Sequence, residues 1–362
     1  MNTPATMRGV RLTGHGDFDK LDIRDDIPVP KPGSGDVLIR VGAAGVNNTD
    51  INTRIGWYSK RHEPGDEGVA DDAGWGGAPL ELPRIQGADV CGEIVAVGAG
   101  VDRARIGERV LVEPCLREAG GQLQDPPWYL GSECDGGFAE YLVVAARHAH
   151  RIDSTLTDVE LASFPCSYST AENLLHRARL TAGERVLVTG ASGGVGSAAV
   201  QLARLRGAEV VAVTSPQKSA ALLGLGAERT LARDDDPVLA LGRNSVDVVV
   251  DLVAGDAFPA LLEVLRPGGR YATSGAIAGP LVTLDLRTLY LKDLTLLGCT
   301  VLDAGVFQAL VGYIAERRLR PLVAGTFPLA DIADAQSAFL KKRHVGKLVL
   351  TVAAGEEPGD SG

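Results

Sequence analysis

One stretch constrains this 362-residue chain more than any other: Arg185-Val-Leu-Val-Thr-Gly-Ala-Ser-Gly-Gly-Val-Gly-Ser-Ala-Ala-Val200. Its apolar start reads as a buried strand, its glycines as a tight turn, and the small and apolar spacing over 195–205 as a packed helix. Glycines at 193, 194 and 196 let backbone approach a pyrophosphate closely. The helix N-terminus behind them offers unpaired N–H groups and a positive dipole end to phosphate. A glycine triplet alone is weak evidence. Here a strand precedes it, a helix follows, and a second strand, Glu209-Val-Val-Ala-Val213, comes next. The reading is a dinucleotide site contacted by Ala191, Ser192, Gly193, Gly194, Val195 and Gly196.

Composition excludes several other classes. A net charge of −10 provides no basic face for nucleic acid or for an anionic membrane. No apolar run approaches the roughly 20 residues of a membrane span, and the N-terminus lacks the apolar centre of a signal peptide. Five scattered cysteines do not form a disulfide framework, so a reducing cytoplasm is the expected setting.

The period of the apolar residues changes along the chain. Residues 7–150 are rich in short alternating strands, such as 36–41, 92–98 and 108–112, separated by glycine turns. From Leu161 onward, helical stretches alternate with apolar strands near 186–189, 210–213, 246–251 and 269–274. That alternation implies a parallel sheet covered on both faces. Helices near 306–316 and 332–342 and a last strand at 347–352 suggest that the chain returns to finish its first domain.

This order, with Gly42-Ala-Ala-Gly-Val-Asn-Asn-Thr-Asp50, Gln86-Gly-Ala-Asp-Val-Cys-Gly-Glu-Ile-Val-Ala-Val-Gly98, Gly136-Gly-Phe-Ala-Glu-Tyr141, the glycine turn and Gly346-Lys-Leu-Val-Leu350, resembles the medium-chain dehydrogenase/reductase superfamily. The resemblance implies an α/β protein with two domains. A GroES-like β-rich catalytic domain would span 1–160 and 302–352, a Rossmann doubly wound parallel-sheet domain 161–301, and a polar tail 353–362. It also implies cofactor contacts at Thr170, Lys347 and Cys299, the last near the nicotinamide, and a homodimer sharing a continuous sheet near Cys299.

Zinc alcohol dehydrogenases of that superfamily hold a Cys where Asn47 stands and a His-Glu pair where Ala88 and Asp89 stand. They hold a further Cys at the place of Cys166. Catalytic zinc needs three protein ligands and an open position. Alanine cannot ligate and an amide is a poor replacement for thiolate, so no zinc is expected. Cys115 and Cys134, with Trp128 and Tyr129 between them, do not close a structural site either. Without a Lewis acid, conjugated acceptors are better matched than simple carbonyls, because hydride addition spreads charge into an enolate or phenolate. The zinc-free, quinone oxidoreductase-like branch carries a similar Gly-Val-Asn followed by Asp, although it usually has Tyr or Pro at the place of Asn48. Asn47, Asn48, Thr49 and Tyr58 are therefore the candidates for orienting substrate and stabilising the enolate, Thr49 standing at the hydroxyl-relay position. The bland alternative is that they cap turns.

NAD-specific domains end their second strand in an acid that binds the ribose. Here that strand runs into Val213-Thr-Ser-Pro-Gln-Lys218. Thr214, Ser215 and Lys218 suit a 2′-phosphate, so NADPH is expected over NADH. Asp251 and Gly275 end later parallel strands, where such sheets bind ligands. The segment 59–86 reads as a long insertion without period; Trp57 and Tyr58 just before it and Trp75 within it could wall a flat acceptor. The six histidines show no ligand spacing. The expected function is an NADPH-dependent, zinc-independent oxidoreductase acting on an enone or quinone. The alternatives are an alcohol dehydrogenase or carbonyl reductase, and a nucleotide-binding redox sensor without turnover.

Overall fold

Alternation builds the first half of the chain. Along the strand Asp36–Val46, Val37, Ile39 and Val41 turn into one core with Val90, Ile94, Val110 and Leu350. Each such side chain contributes about 1.5–3 kcal/mol on burial. The computed structural model describes residues 3–60, 72–77 and 79–352, and its chain divides into two units. Unit 1 comprises Met1–Cys166, Val323–Arg343 and Lys347–Gly362, and unit 2 comprises Ser167–Leu322 and His344–Gly346. The polar tail, His62 and the middle of the 59–86 insertion lie outside the described residues.

In unit 1, Asp36–Val46 pairs antiparallel with Asp89–Val97, with Tyr141–Ala145 and with the returning strand Lys347–Thr351. Arg109–Val112, Ala149–Arg151 and Val323–Pro328 complete this seven-stranded sheet. The register positions the chemistry. Gly45 lies opposite Asp89, and Leu348 opposite Val46, so three strands converge where Asp36–Val46 ends. Gly45 is required there, because a Cβ would lie 2.6 Å from Asp89 Oδ2 and 2.8 Å from the Ala162 carbonyl oxygen. The lobe after residue 114 is a hairpin of Cys115–Ala119 with Gln122–Tyr129, in which Leu116 faces Trp128. It packs through aromatics and aliphatics, and Cys115 and Cys134 are free thiols.

Unit 2 is a six-stranded parallel sheet in the order Arg229–Leu231, Glu209–Val213, Arg185–Val188, Val246–Asp251, Leu265–Thr273, Thr295–Gly298. Val186, Leu187 and Val188 are fully buried, as a central strand covered on both faces requires. Strand order reverses at Arg185–Val188, which puts the ligand crevice beyond the carboxyl end of that strand. The units divide differently from the sequence expectation: 302–322 belongs with unit 2. Hydrogen bonds hold it there. Asn173 bonds the Val301 carbonyl and the Asp303 amide at 3.0 Å each. Arg320 accepts from Tyr168 at 2.9 Å, and its amide donates to Gln201 at 3.0 Å.

Candidate active site

The two units carry two sets of functional groups. In unit 2 the helix Gly194–Leu205 starts at Gly193, where no side chain caps its first amides. Those amides remain available to a phosphate. Gly196 brings the helix hard onto the turn, since a Cβ there would lie 2.3 Å from the Gly190 carbonyl oxygen. Lys218 Nζ reaches Ser192 Oγ at 3.4 Å. Burial, and then the charge of Arg233, lower the Lys218 pKa. Two cations and the Ser192 hydroxyl therefore share one neighbourhood. Thr214, at the end of the second strand, is 2% exposed, and its hydroxyl has no hydrogen-bond partner among the described residues. A buried orphan hydroxyl of this kind fits a ligand's polar group. Arg233 was missed in the sequence; its signal was a cation two residues beyond the edge strand Arg229–Leu231.

Other expected cofactor contacts stand elsewhere. Asp251 is fully buried and consumed by Thr189 Oγ1 and Tyr271 OH, both at 2.5 Å, and by the amides of Val253 and Ala254. It braces three parallel strands and has no acceptor face left for a ligand. Cys299 is 2% exposed, its thiol directed toward the Leu297 carbonyl and raised in pKa by burial. Thr170 lies half-buried on the helix Pro165–Arg177. Gly275 and Ser215 are in loops after their strands, where a ligand could reach them. Lys347, also expected at the cofactor, belongs to unit 1.

In unit 1, Lys347 is the centre of a buried polar cluster. Its ammonium lies 2.7 Å from Asp89 Oδ2 and donates to Asn47 Oδ1 at 2.5 Å and to the Val46 carbonyl at 2.9 Å. Asn47 Nδ2 donates to the same Asp89 oxygen at 2.8 Å. The other Asp89 oxygen accepts the Cys166 backbone amide at 2.5 Å. Lys347 is 2% and Asp89 0% exposed, so each ion is the other's compensation. Asp50 accepts the Asn47 amide at 2.7 Å. Burial pushes its carboxyl up to about 7, against the Asn47 and Gly87 amides and the Lys347 charge. The sequence motif contained Asp50, but nothing in its spacing signalled a group titrating near neutrality.

The expected catalytic residues part company. Asn47 is in the cluster. Asn48 is exposed, with Oδ1 accepting from Lys342 at 2.9 Å, so it points away from Asp89 and Lys347. Tyr58 hydrogen-bonds Thr49 and Asn52, and burial raises its phenol pKa. The aromatic wall resolves into two pairs. Trp57 meets Tyr58 edge-on at 5.6 Å, whereas Trp75 stacks on Tyr129 at 4.7 Å. Tyr129, not among the sequence candidates, reaches Cys166 Sγ with its hydroxyl at 3.0 Å beside Ala88. Burial pushes the Cys166 thiol up to about 12 and the Tyr129 phenol well above its ordinary value. Among the described residues no group of three His, Cys, Asp or Glu converges as metal ligands.

A β-rich unit and a parallel-sheet unit with an uncapped glycine turn define a nucleotide-binding protein of two units. The chain belongs to the medium-chain dehydrogenase/reductase superfamily, in its quinone oxidoreductase-like branch, and is an NAD(P)-dependent oxidoreductase. Residues 33–154 match the alcohol dehydrogenase GroES-like domain, and 194–316 the family described as zinc-binding dehydrogenase. The chain is similar to acryloyl-coenzyme A reductase of Metallosphaera sedula, 30% identical over 95% of this chain and 100% of that protein. It is 29% identical to quinone oxidoreductase of Homo sapiens over 95% of this chain and 97% of the relative. A structure assigned as an alcohol dehydrogenase from Sinorhizobium meliloti superposes with a TM-score of 0.87. It is 48% identical, covering 97% of this chain and 98% of that one.

Proposed function

We propose that the protein is an NADPH-dependent, zinc-independent reductase of α,β-unsaturated carbonyls or quinones, working as a homodimer. The observation that carries this reading is the Lys347 ammonium seated on Asn47 and Asp89. A divalent cation would have to compete with that resident charge for the same oxygens. The donor set does not fit zinc. Ala88 offers no ligand, the Asn47 amide is bonded at both ends, and Cys166 is a neutral thiol. Conjugated acceptors need no Lewis acid, because their developing charge is spread and can be met by hydrogen-bond donors. The relatives named for acryloyl-coenzyme A and quinone reduction agree with that class.

NADPH would be held by the amides of the Gly194–Leu205 helix at its pyrophosphate. Its 2′-phosphate would meet Ser192, Thr214, Lys218 and Arg233. When bound, the dihydronicotinamide supplies the hydride. Asn47 holds Lys347 and Asp89 in place, Thr49 and Tyr58 orient the acceptor, and the Thr49–Tyr58 hydroxyl pair provides a route for a proton. The same pair favours a second reading, reduction of an aldehyde or oxidation of an alcohol through that hydroxyl relay. The homodimer is supported by unit 2's edge. Seven of the thirteen large exposed apolar side chains among the described residues fall between Ile277 and Leu296. Two of them, Val282 and Leu296, line an apolar hollow of about 290 Å³ with Phe258 and Tyr271, and Leu296 lies on the edge strand Thr295–Gly298.

The test is turnover of NADPH and NADH with a quinone, an enone, an aldehyde and a secondary alcohol, before and after chelation. Chelator-resistant oxidation of NADPH by the quinone or enone is the expected result. Activity confined to the aldehyde or alcohol would overturn it in favour of the second reading.

A further inference from the structure

The groups that the proposed reaction leaves unused are the Tyr129 phenol and the Cys166 thiol. They occupy the corner of unit 1 where a metal-dependent relative would gather its ligands. The corner is built rather than accidental. Trp75 stacks on the Tyr129 ring with an interplanar angle of 26°. The Trp75 segment is pinned by Trp75 N–H to Ser132 Oγ at 3.1 Å and Gly76 N–H to Glu133 Oε1 at 2.9 Å. The second Glu133 oxygen accepts the Tyr129 amide at 2.9 Å. Cys166 is fixed through its own amide on Asp89. Tyr129 and Cys166 each keep 7% exposure, whereas Ala88 and Asp89 beneath them have none. The Tyr129–Cys166 pair is therefore the more open part of this corner, and Ala88 and Asp89 its closed floor.

We propose that Tyr129 is the hydrogen-bond donor to the substrate's oxygen, with Cys166 donating to Tyr129 from behind. The proposal rests on the conjugate-reduction reading and supplies its missing electrophile. When a hydride adds to the β-carbon of an enone, the C=C electron pair shifts and negative charge reaches the carbonyl oxygen. The Tyr129 O–H donates to that oxygen without giving up its proton, and the α-carbon later takes a proton from solvent. Both groups stay protonated in this corner because burial disfavours their anions. A protonated thiol can donate into the phenol oxygen, which leaves the phenol hydrogen free to face the substrate. Cooperative chains of this kind strengthen the terminal donor. The Trp75 ring lies over the face of the Tyr129 ring, and a planar conjugated acceptor is the substrate shape that fits beside this stack.

Tyr129→Phe keeps the ring and its stack and removes only the donor. The loss of one such donor lowers kcat by about 100–1000-fold with KM little changed. Cys166→Ala should cost less and Cys166→Ser should restore activity, because a hydroxyl also donates. A second readout needs no turnover: equilibrium binding of p-nitrophenolate, a flat oxyanion, followed by its absorbance. Tyr129→Phe should weaken that binding at least about tenfold, on the scale of a hydrogen bond to a charged group, while NADPH affinity is unchanged. Equal p-nitrophenolate affinity and equal kcat in wild type and Tyr129→Phe would overturn the role of Tyr129 and leave the reductase reading standing. Tyr129-dependent p-nitrophenolate binding without turnover of any enone or quinone would sustain the donor and overturn that reading. Site-specific 3,5-difluorotyrosine at position 129 preserves shape and folding. Its more acidic phenol should tighten p-nitrophenolate binding, and unchanged binding would count against the proposal.

Discussion

Lys347 sets the energetics of unit 1 at the scale of single residues. Its ammonium is the nearby positive charge for Asp89 and lowers the cost of ionising Asp50. Lys347→Met would leave the Asp89 carboxylate buried and unpaired. The expected loss is about 3–5 kcal/mol in urea denaturation. The double variant Lys347→Met/Asp89→Asn should recover most of that loss, since no charge is then stranded. Asp50 makes a separate prediction. Its folded pKa is raised to about 7, above the unfolded value near 4, so the folded protein binds the extra proton between those limits. The associated stability is fully present below pH ~4 and is lost as pH rises through ~7, at up to about 1.4 kcal/mol per pH unit. Across that window the stability of Asp50→Asn should fall less steeply with pH than that of wild type, whatever its absolute value. Parallel slopes would mean that Asp50 is ionised throughout.

At the scale of elements, the cluster depends on three strands meeting in one register. Gly45→Ala puts a methyl where Asp89 Oδ2 and the Ala162 carbonyl already lie. The expected cost is about 1–3 kcal/mol in thermal unfolding, with a fall in kcat as Asp89 shifts. The glycine turn was legible because strand, turn and helix are local, and their periods show in consecutive residues. Asn47 was legible from its motif. The bonds of Lys347 to Val46 and Asn47 join strands some 300 positions apart, for which the sequence carries no local signal. Asp251 failed for a related reason. A strand-end position predicts access to ligand, but Thr189 and Tyr271 from neighbouring strands close over its carboxylate. Tyr129 was hidden inside a hairpin whose partner, Trp75, comes from a segment without period.

For the whole molecule, the prediction concerns assembly. The apolar residues from Ile277 to Leu296 stand in water on an isolated chain. A partner copy covering them explains their number better than a monomer does. Leu286→Lys/Leu291→Lys should convert the protein to a monomer by light scattering, with its NADPH affinity retained. A wild-type mass of one chain at micromolar concentration would contradict the dimer. The division into units also bears on how the protein is made. Val46 and Lys347 are bonded across 301 positions, and all of unit 2 is encoded between them. At about 5–20 residues per second, a ribosome takes roughly 15–60 s to travel that distance. During that interval the strand Asp36–Val46 has emerged without the neighbour that completes it, and Asp89 has no lysine. The nucleotide-binding unit can close first, whereas the chemical corner is assembled last, so a stalled or truncated product would still bind cofactor without being able to use it.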